Sequence, residues 1–393
     1  MIRVAALIVR DSSASIRFAG LDLATRAERA VRRAGIDRVQ VVDDDRPFAE
    51  APHAEVLLVL PSCAVFEPAA VRELVQRGLR APEDAAAVAD ANGFSTGVML
   101  VSPDAVDRIR TVPRLRTGIK RLGIEAVVRV VRVAPKFIAR VRNVHDVARV
   151  EAAYLRHTNG SGEGIFTRNI RRFSIPLSRH LLRLSVGPNA VTLAGFGLAV
   201  LAGLSFAAAS YWTGILGALF YWTSMVLDCS DGEVARGSLA DCPFGAWLET
   251  VTDYLSYFAV LGGIVWGDLR TEGVDHHTTA AMIGAAATAA IVLAVGYLRA
   301  RVAGENPGAF DDALADQLRH GTFTDRLAVW GRQLIKRAFV AHLILFQALI
   351  GFIPALTDIW AVGAVAALVV VAAVQTHILR SVKVQPLRPA VSL

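Results

Sequence analysis

The sequence predicts two structurally different parts, an α/β soluble domain at the N-terminus and an all-α membrane domain with six transmembrane helices after it. The first observation is composition: of 393 residues, 54% are hydrophobic and yet 20% are charged. The second is distribution, because charge runs throughout residues 1–185 but is interrupted after residue 186 by long apolar stretches. The third is the alternation of strand and helix patterns in the first part, which favours a doubly wound sheet.

The elements of the first part follow from these patterns. Short apolar runs bounded by turn residues predict strands, and longer runs with helical spacing predict helices. The strands are expected at 4–9, 39–42, 56–60, 97–101 and 127–133, and the helices at 22–34, 68–79 and 144–157. We expect this domain to fill residues 1–158 and to be cytoplasmic.

A linker and a basic helix are expected next. Residues 159–167 contain Asn159-Gly160-Ser161-Gly162, which is typical of a linker. Residues 168–186 place arginines among Ile, Phe and Leu, which predicts an amphipathic helix on a membrane surface. An ordinary solvated helix face is the alternative.

Six apolar stretches then approach the length of about 20 residues that crosses a bilayer. They lie at 190–209, 211–228, 244–266, 279–298, 338–355 and 359–378, within a membrane domain at 187–383 that precedes a tail at 384–393. Lys and Arg concentrate on one side, which predicts a multi-pass protein of the cell inner or plasma membrane with both termini cytoplasmic. The net charge of +7 is then explained by basic loops and anionic lipid, and no nucleic-acid partner is expected.

Four acidic residues near the second and third stretches form the candidate site. Asp228 and Asp231 are three residues apart, and Glu249 and Asp253 are four apart, so each pair shares one face of its helix. Four carboxylates at the edge of a bilayer are costly unless they are neutralised. Oxygen ligands favour Mg²⁺, Mn²⁺ or Ca²⁺ over zinc, and two such ions could stabilise charge on a pyrophosphate.

The stretch that begins at Asp228 resembles the signature of the CDP-alcohol phosphotransferase family, D-x2-D-G-x2-A-R-x8-G-x3-D-x3-D. Seven of its eight fixed positions agree, namely Asp228, Asp231, Gly232, Ala235, Arg236, Gly245 and Asp253. Upstream, Pro188-Asn189-Ala190-Val191-Thr192 is similar to the family's entry to its first span. The resemblance covers residues 165–383.

The resemblance implies transfer of a substituted phosphate group from a CDP-alcohol to an acceptor hydroxyl, with release of CMP. The donor would be CDP-diacylglycerol or a CDP-inositol-like molecule, used in phospholipid or inositol-phosphate synthesis. The family is commonly dimeric, so a homodimer in the lipid membrane is among the implied partners.

The resemblance also implies roles for individual residues. Asp228, Asp231, Glu249 and Asp253 would bind two Mg²⁺ or Mn²⁺ ions, with Asp253 as the base. The CDP moiety would lie against Gly232, Ala235, Arg236, Gly245, Asn189 and Thr192. Arg299 and Arg301 would hold a phosphate of the acceptor, or else anchor their helix at the membrane interface. Glu249 departs from the family, which has Asp there, and this puts the metal geometry in doubt because Mg²⁺ is demanding about its ligands.

The N-terminal part is similar, over short segments, to a sugar-nucleotide or inositol-phosphate cytidylyltransferase. The segments are 20–26, 94–98 and 142–148. The loop after the first strand has no glycine until Gly20, however, and such a loop should hold nucleotide phosphates with its backbone amides. Pro61-Ser62-Cys63 also stands where a metal-binding Asp is expected. We therefore expect a degenerate domain; the alternatives are a bifunctional cytidylyltransferase and transferase, or a non-enzymatic membrane scaffold or sensor with a relict site.

Overall fold

The structure, a computed structural model, is mostly helical with an N-terminal α/β sheet domain, as the sequence predicts. It describes residues 4–43, 56–79, 85–89, 95–102, 104–105, 128–132, 137–159, 164–302, 337–351, 353 and 355–381. Part of the expected linker and the whole expected tail at 384–393 lie outside these residues.

The chain divides into two compact units, which we name the N-terminal unit and the helical unit. The N-terminal unit contains Met1–Gly162, Ile175–Pro188 and Ser230–Cys242. The helical unit contains Glu163–Ser174, Asn189–Cys229 and Pro243–Leu393. Part of the candidate signature therefore belongs to the same unit as the N-terminal domain.

The N-terminal unit is built on a six-stranded sheet. Its strands are β1 (Val4–Arg10), β4 (Val39–Asp43), β5 (Val56–Pro61), β7 (Ala85–Ala89), β8 (Ser95–Val101) and β9 (Val128–Arg132), in the order β4-β1-β5-β8-β7-β9. Two small antiparallel pairs accompany it: β2 (Arg17–Phe18) with β3 (Leu21–Asp22), and β6 (Ala64–Phe66) with β10 (Ile138–Arg140).

The sheet is mixed rather than uniformly parallel. β1 is parallel to both β4 and β5, and β7 is parallel to β9, but β8 runs antiparallel to β5 and β7. The reason is the link between β7 and β8, from Ala89 to Ser95, which is too short for a crossover connection of a dozen or more residues.

Helices accompany the sheet, and the first two of them cover one of its faces. They are α1 (Leu23–Arg33), α2 (Pro68–Arg77) and α3 (Val144–Thr158), close to the three predicted ranges. Asp22 caps α1 by accepting a hydrogen bond from the Thr25 amide, and Asn143 caps α3 in the same way. Alternate residues of β1 enter two hydrophobic clusters: Ala6 and Ile8 pack with α1 and α2, while residues 5, 7 and 9 face the other side.

Further helices follow in the described residues, the first of them basic and the others apolar on average. They are α4 (Ile165–Arg183), α5 (Pro188–Ala207), α6 (Tyr211–Gly237), α7 (Pro243–Thr271), α8 (His276–Val302), α9 (Arg337–Leu349) and α10 (Ala355–Ser381). Every apolar stretch expected from the sequence is represented by one of these helices. Of the described residues, Pro188–Ala207 is the helix long and apolar enough to cross a membrane, judged by length and composition.

Glycines let α5 and α7 touch within the helical unit. A Cβ on Gly263 would lie 2.0 Å from the Gly203 carbonyl oxygen, and one on Gly203 would lie 2.2 Å from the Ala259 oxygen. Such close backbone approach is typical of membrane helix pairs, where small residues replace the hydrophobic effect as the basis of packing. A second link joins α5 and α6, because the Ser224 hydroxyl donates to the Gly195 carbonyl at 2.7 Å.

Candidate active site

Two of the four predicted carboxylates meet in the helical unit around a single cation. Asp228 lies on α6 and Asp253 on α7, and the Arg337 guanidinium at the start of α9 contacts both. Arg337 Nη1 donates to Asp228 Oδ1 at 2.7 Å and also to Asp253 Oδ1. All three side chains are largely buried, with exposures of 15%, 20% and 29% for Arg337, Asp228 and Asp253. The helices therefore position these two carboxylates to share a positive charge.

Arg337 is fixed from a second direction by an aromatic ring. Its guanidinium carbon lies 5.5 Å from the centre of the Tyr257 ring, one turn beyond Asp253 on α7. A guanidinium held by two carboxylates and one ring face has a defined orientation. One positive charge facing two negative ones leaves a net negative charge at this point of the bundle.

The other two carboxylates lie on the same helices. Asp231 follows Asp228 by three residues on α6 and is buried, with 3% exposure. Glu249 precedes Asp253 by one turn on α7 and is exposed. Each therefore lies on the helix face of its partner, as the spacing predicts. Asp231 belongs to the N-terminal unit and Glu249 to the helical unit.

The signature residues that follow Asp231 occupy the last turns of α6. Gly232, Ala235 and Arg236 are half-buried there. Arg236 Nη2 donates to Asn159 Oδ1 at 2.8 Å, and Asn159 Nδ2 donates to Glu233 Oε1 at 3.1 Å. The other oxygen of Glu233 accepts from the Ser178 hydroxyl at 2.5 Å. This hydrogen-bonded chain of four side chains, all within the N-terminal unit, determines the direction of Arg236.

The remaining predicted residues lie at helix ends. Gly245 is in the first turn of α7, half-buried, while Asn189 and Thr192 are in the first turns of α5, half-buried and buried. Gly195, one turn after Thr192, packs against α6, where a Cβ would lie 3.9 Å from the Asp228 amide nitrogen. Gly195 is therefore at the level of Asp228, and Thr192 lies one turn away from it. Arg299 and Arg301 lie in the last turns of α8.

Sequence reasoning missed three residues that contact the predicted ones, each within its own unit. Arg337 has no local signal, because 84 positions separate it from Asp253. Asn159 was assigned to a linker, and Glu233 falls on a variable position of the signature. The one usable hint was Glu233, an acidic residue between two fixed positions of the signature. The structure buries it, and an ionised carboxylate inside a protein needs partners.

The residues present fit a divalent cation. The test is the Arg337 contact, which shows that Asp228 and Asp253 jointly hold one cationic group between α6 and α7. The donor set contains only carboxylate oxygens, which suits Mg²⁺ or Mn²⁺.

Comparison with known proteins agrees with this site. Residues 185–307 match the sequence profile of the family described as CDP-alcohol phosphatidyltransferase. That range includes every site residue predicted from the sequence, from Asn189 to Arg301, whereas Arg337 lies beyond it.

The sequences of individual relatives match parts of this chain. The bifunctional IPC transferase and DIPP synthase of Aquifex aeolicus is 29% identical over 180 residues, which are 44% of this chain and 40% of that protein. The phosphatidylinositol phosphate synthase of Mycobacterium marinum is 36% identical over 97 residues, 24% of this chain and 40% of that protein. The chain thus spans well under half the length of these curated relatives.

A solved structure is also similar. It is the phosphatidylinositol phosphate synthase of Mycobacterium tuberculosis in complex with manganese and citrate, 21% identical, with a TM-score of 0.37 over 56% of this chain and 93% of that one. The family match and the carboxylate motif coincide: residues 185–307 of this chain are similar to the CDP-alcohol phosphatidyltransferase family, and the motif lies within them.

Proposed function

We propose that the chain is an integral-membrane enzyme that transfers a substituted phosphate group from a CDP-alcohol to an acceptor hydroxyl and releases CMP. The observation that carries this proposal is the meeting of Asp228 and Asp253 around one cationic group, at the family's motif positions. A scaffold without activity would have no need to keep two largely buried carboxylates facing each other.

In this proposal Asp228, Asp231, Glu249 and Asp253 hold two Mg²⁺ or Mn²⁺ ions. When bound, the ions would neutralise charge on the pyrophosphate and on the leaving CMP. The solved phosphatidylinositol phosphate synthase of Mycobacterium tuberculosis is described as a complex with manganese. Glu249 is one methylene longer than the family's Asp, and its exposed position on α7 leaves it room to adjust its reach.

The chain's own residues then bind and orient the substrates. Arg236, directed by Asn159, is placed to pair with a phosphate of the CDP group in a charge-assisted hydrogen bond. Gly232, Ala235, Gly245, Asn189 and Thr192 would surround the nucleotide. Asp253 would accept the proton of the attacking hydroxyl, and Arg299 and Arg301 would hold a phosphate of the acceptor.

The surface of the helical unit supports a membrane location. Large apolar side chains are strongly exposed on several helices, among them Leu204 at 65%, Trp212 at 76%, Met282 at 61% and Val362 at 72%. An exposed apolar surface of this extent is unusual for a soluble monomer and is expected where lipid replaces water. We propose a multi-pass protein of the plasma membrane with six spans and both termini in the cytoplasm.

The relatives' names support an inositol-type substrate. One relative is named a bifunctional IPC transferase and DIPP synthase, and another a phosphatidylinositol phosphate synthase. We therefore propose CDP-diacylglycerol or a CDP-inositol-like donor, with an inositol phosphate as the first acceptor to be tried.

The test is release of CMP by the purified full chain in detergent. CDP-diacylglycerol or CDP-inositol is supplied with inositol phosphate and Mg²⁺ or Mn²⁺, and EDTA should stop the reaction. Asp231→Asn should lower the rate at least about a hundredfold, because metal-ion stabilisation is worth several kcal/mol. Glu272→Gln, an exposed change just beyond the far end of α7, is the matched control. Lack of CMP with every donor and acceptor, or an unchanged rate in Asp231→Asn, would favour the scaffold.

The loop after β1 supports a non-catalytic N-terminal domain. The amides of Ser13, Ala14 and Ile16 donate to Asp11 Oδ1, Asp11 O and Ser13 O, at 2.9 to 3.0 Å. They are therefore engaged within the loop rather than turned towards a phosphate. Burial alone would raise the pKa of Asp11, but hydrogen bonds from Ser13, Ser62 and Cys63 lower it below its usual value. The ionised carboxylate would repel a nucleotide phosphate.

A bifunctional enzyme is the second candidate, since one relative is named as bifunctional. It requires that the full chain form pyrophosphate from CTP and inositol phosphate. Pyrophosphate that persists in Asp231→Asn, where CMP transfer is lost, would establish a second active site in the N-terminal part and overturn the non-catalytic assignment.

A further inference from the structure

A second cluster of potential ligands lies at the turn between α7 and α8. Asp275, His276 and His277 are consecutive, and one ligand atom from each lies within 4.8 Å of the others. Asp275 Oδ1 caps α8 by accepting from the Thr278 amide at 2.9 Å, which leaves Oδ2 directed towards His276 Nδ1 at 3.8 Å. The two imidazole rings lie with their centroids 3.9 Å apart.

A fourth potential ligand comes from a different helix. Asp358, in the first turn of α10, places Oδ2 2.8 Å from His277 Nδ1. This nitrogen is buried and makes no hydrogen bond among the described residues, so the contact lacks hydrogen-bond geometry. Two potential ligand atoms that lie this close without a hydrogen bond between them are arranged like two ligands of one cation.

A fifth group independently points to a ligand. Asp268 is 8% exposed, near the end of α7, and its Oδ2 is buried with no hydrogen-bond partner in the described part of the chain. Its carboxylate interacts electrostatically with His277, Asp275, Glu272 and Asp358. A buried carboxylate oxygen without a partner is costly, and a cation held nearby by the histidines would lower that cost.

The local charge also favours a cation. Asp268, Glu272, Asp275 and Asp358 carry four formal negative charges, against one positive charge on Arg270. The N-termini of α8 and α10 add the equivalent of about half a positive charge each. The balance remains negative by about two charges, which a divalent ion would neutralise.

This cluster is separate from the proposed active site. Asp268 follows Asp253 by 15 residues on the same continuous helix, which is about 22 Å along its axis at 1.5 Å per residue. The carboxylates of the active site contribute nothing to it, and the inference goes beyond the proposed function.

The geometry points to a structural site for one divalent transition-metal ion, Zn²⁺ in the first instance, held by Asp275, His276, His277 and Asp358. Imidazole with carboxylate selects Zn²⁺ and its neighbours over Mg²⁺ or Ca²⁺. Donor atoms of a tetrahedral zinc site are about 3.3 Å apart, so the separations here, at most 4.8 Å within the triplet and 2.8 Å for His277 to Asp358, require only side-chain adjustment. The ion would tie the α7–α8 turn to α10.

The experiment measures zinc on the full chain, purified with a tag that contains no histidine. After treatment with EDTA and addition of Zn²⁺ alone, elemental analysis should give one ion per chain, and competition with a chromophoric chelator should give its affinity. His276→Gln and His277→Gln should each weaken binding at least tenfold. His276 is 76% exposed, so its replacement does not threaten the fold. X-ray absorption should show two imidazole ligands in the wild type.

Two controls separate this site from the others. His145→Gln replaces an exposed histidine of α3 and should retain zinc. Asp253→Asn, inactive under the proposed function, should also retain it, so that failure of one proposal can be told from failure of the other. Absence of a bound ion in the wild type, or equal zinc affinity in the wild type, His276→Gln and His277→Gln, would overturn the inference.

Discussion

Arg337 is the residue that the structure adds to the proposed active site. Its guanidinium binds Asp228 and Asp253 together, so a divalent ion and Arg337 must compete for, or share, the same oxygens. Removing one member of a largely buried ionic cluster leaves uncompensated charge and costs about 3–5 kcal/mol. Without Arg337, a bound metal ion would be the main positive charge that compensates the carboxylates of Asp228 and Asp253.

The corresponding prediction concerns Arg337→Gln. Without metal, in EDTA, this variant should unfold at a clearly lower temperature than the wild type, because two carboxylates then face each other. Mn²⁺ should restore much of the difference, and its stabilising effect should exceed that on the wild type. Thermal unfolding in detergent measures both, with Arg270→Gln, an exposed arginine at the other end of α7, as the control. An equal loss with and without Mn²⁺ would contradict the shared position.

Asn159 provides the second prediction at this scale. Its side chain accepts from Arg236 and donates to Glu233, so Asn159→Ala should leave Arg236 less well directed. A hydrogen bond to a charged group is worth about 1.5–3 kcal/mol, and we expect KM for the CDP-alcohol to rise about tenfold or more with kcat nearly unchanged. Thr158→Ala, one residue earlier, should leave both constants as they are. A fall in kcat alone would assign Asn159 a different role.

At the scale of elements, the α5–α7 contact depends on two glycines. A leucine at position 263 would meet the Gly203 carbonyl, whereas Gly262, its neighbour, has nothing within 4 Å of a Cβ. Gly263→Leu should therefore force the helices apart and cost at least about 2 kcal/mol, while Gly262→Leu should be tolerated. Size-exclusion profiles and thermal unfolding in detergent would compare the pair. Similar damage from both substitutions would mean that the close contact does not determine stability.

The elements also show how far the sequence alone could go. The strands and helices that were predicted for the N-terminal domain lie within a few residues of the observed ones, because their patterns are local: Val4–Arg10 and Val144–Thr158 are examples. The central strand Ala85–Ala89 was not predicted. The antiparallel direction of β8 was not predicted, since it follows from the length of the link to β7 and not from strand composition. The contact between Arg337 and Asp253 has no local sequence signal. The number of membrane spans stays a prediction.

At the scale of the whole molecule, the N-terminal unit includes more than the N-terminal domain. Residues Ser230–Cys242 belong to it, and α1 holds them directly. Arg26, 1% exposed, donates to the Gly237 carbonyl at the end of α6, and Arg33 pairs with Asp241. Burial lowers the pKa of Arg26, while Tyr154 and Glu151 favour its charged form. Through α1, the N-terminal domain thus supports the part of the signature that belongs to its own unit.

This arrangement makes the last prediction a test of what the N-terminal domain does. Arg26→Met removes the donor to Gly237 and a buried positive charge beside Tyr154 and Glu151, although Arg179 still pairs with Glu151 at 3.6 Å. The loss costs about 2–4 kcal/mol. CMP release should fall severalfold, and unfolding of the full chain should begin at lower temperature. Arg26→Lys should not rescue activity, since an ammonium group cannot both reach the carbonyl and stack on Phe18 and Tyr154, whose ring centres lie 4.9 and 4.7 Å from the guanidinium. Arg29→Met, on the exposed face of α1, is the matched control. If Arg26→Met retained full transfer activity, the N-terminal domain would not support the transferase through α1.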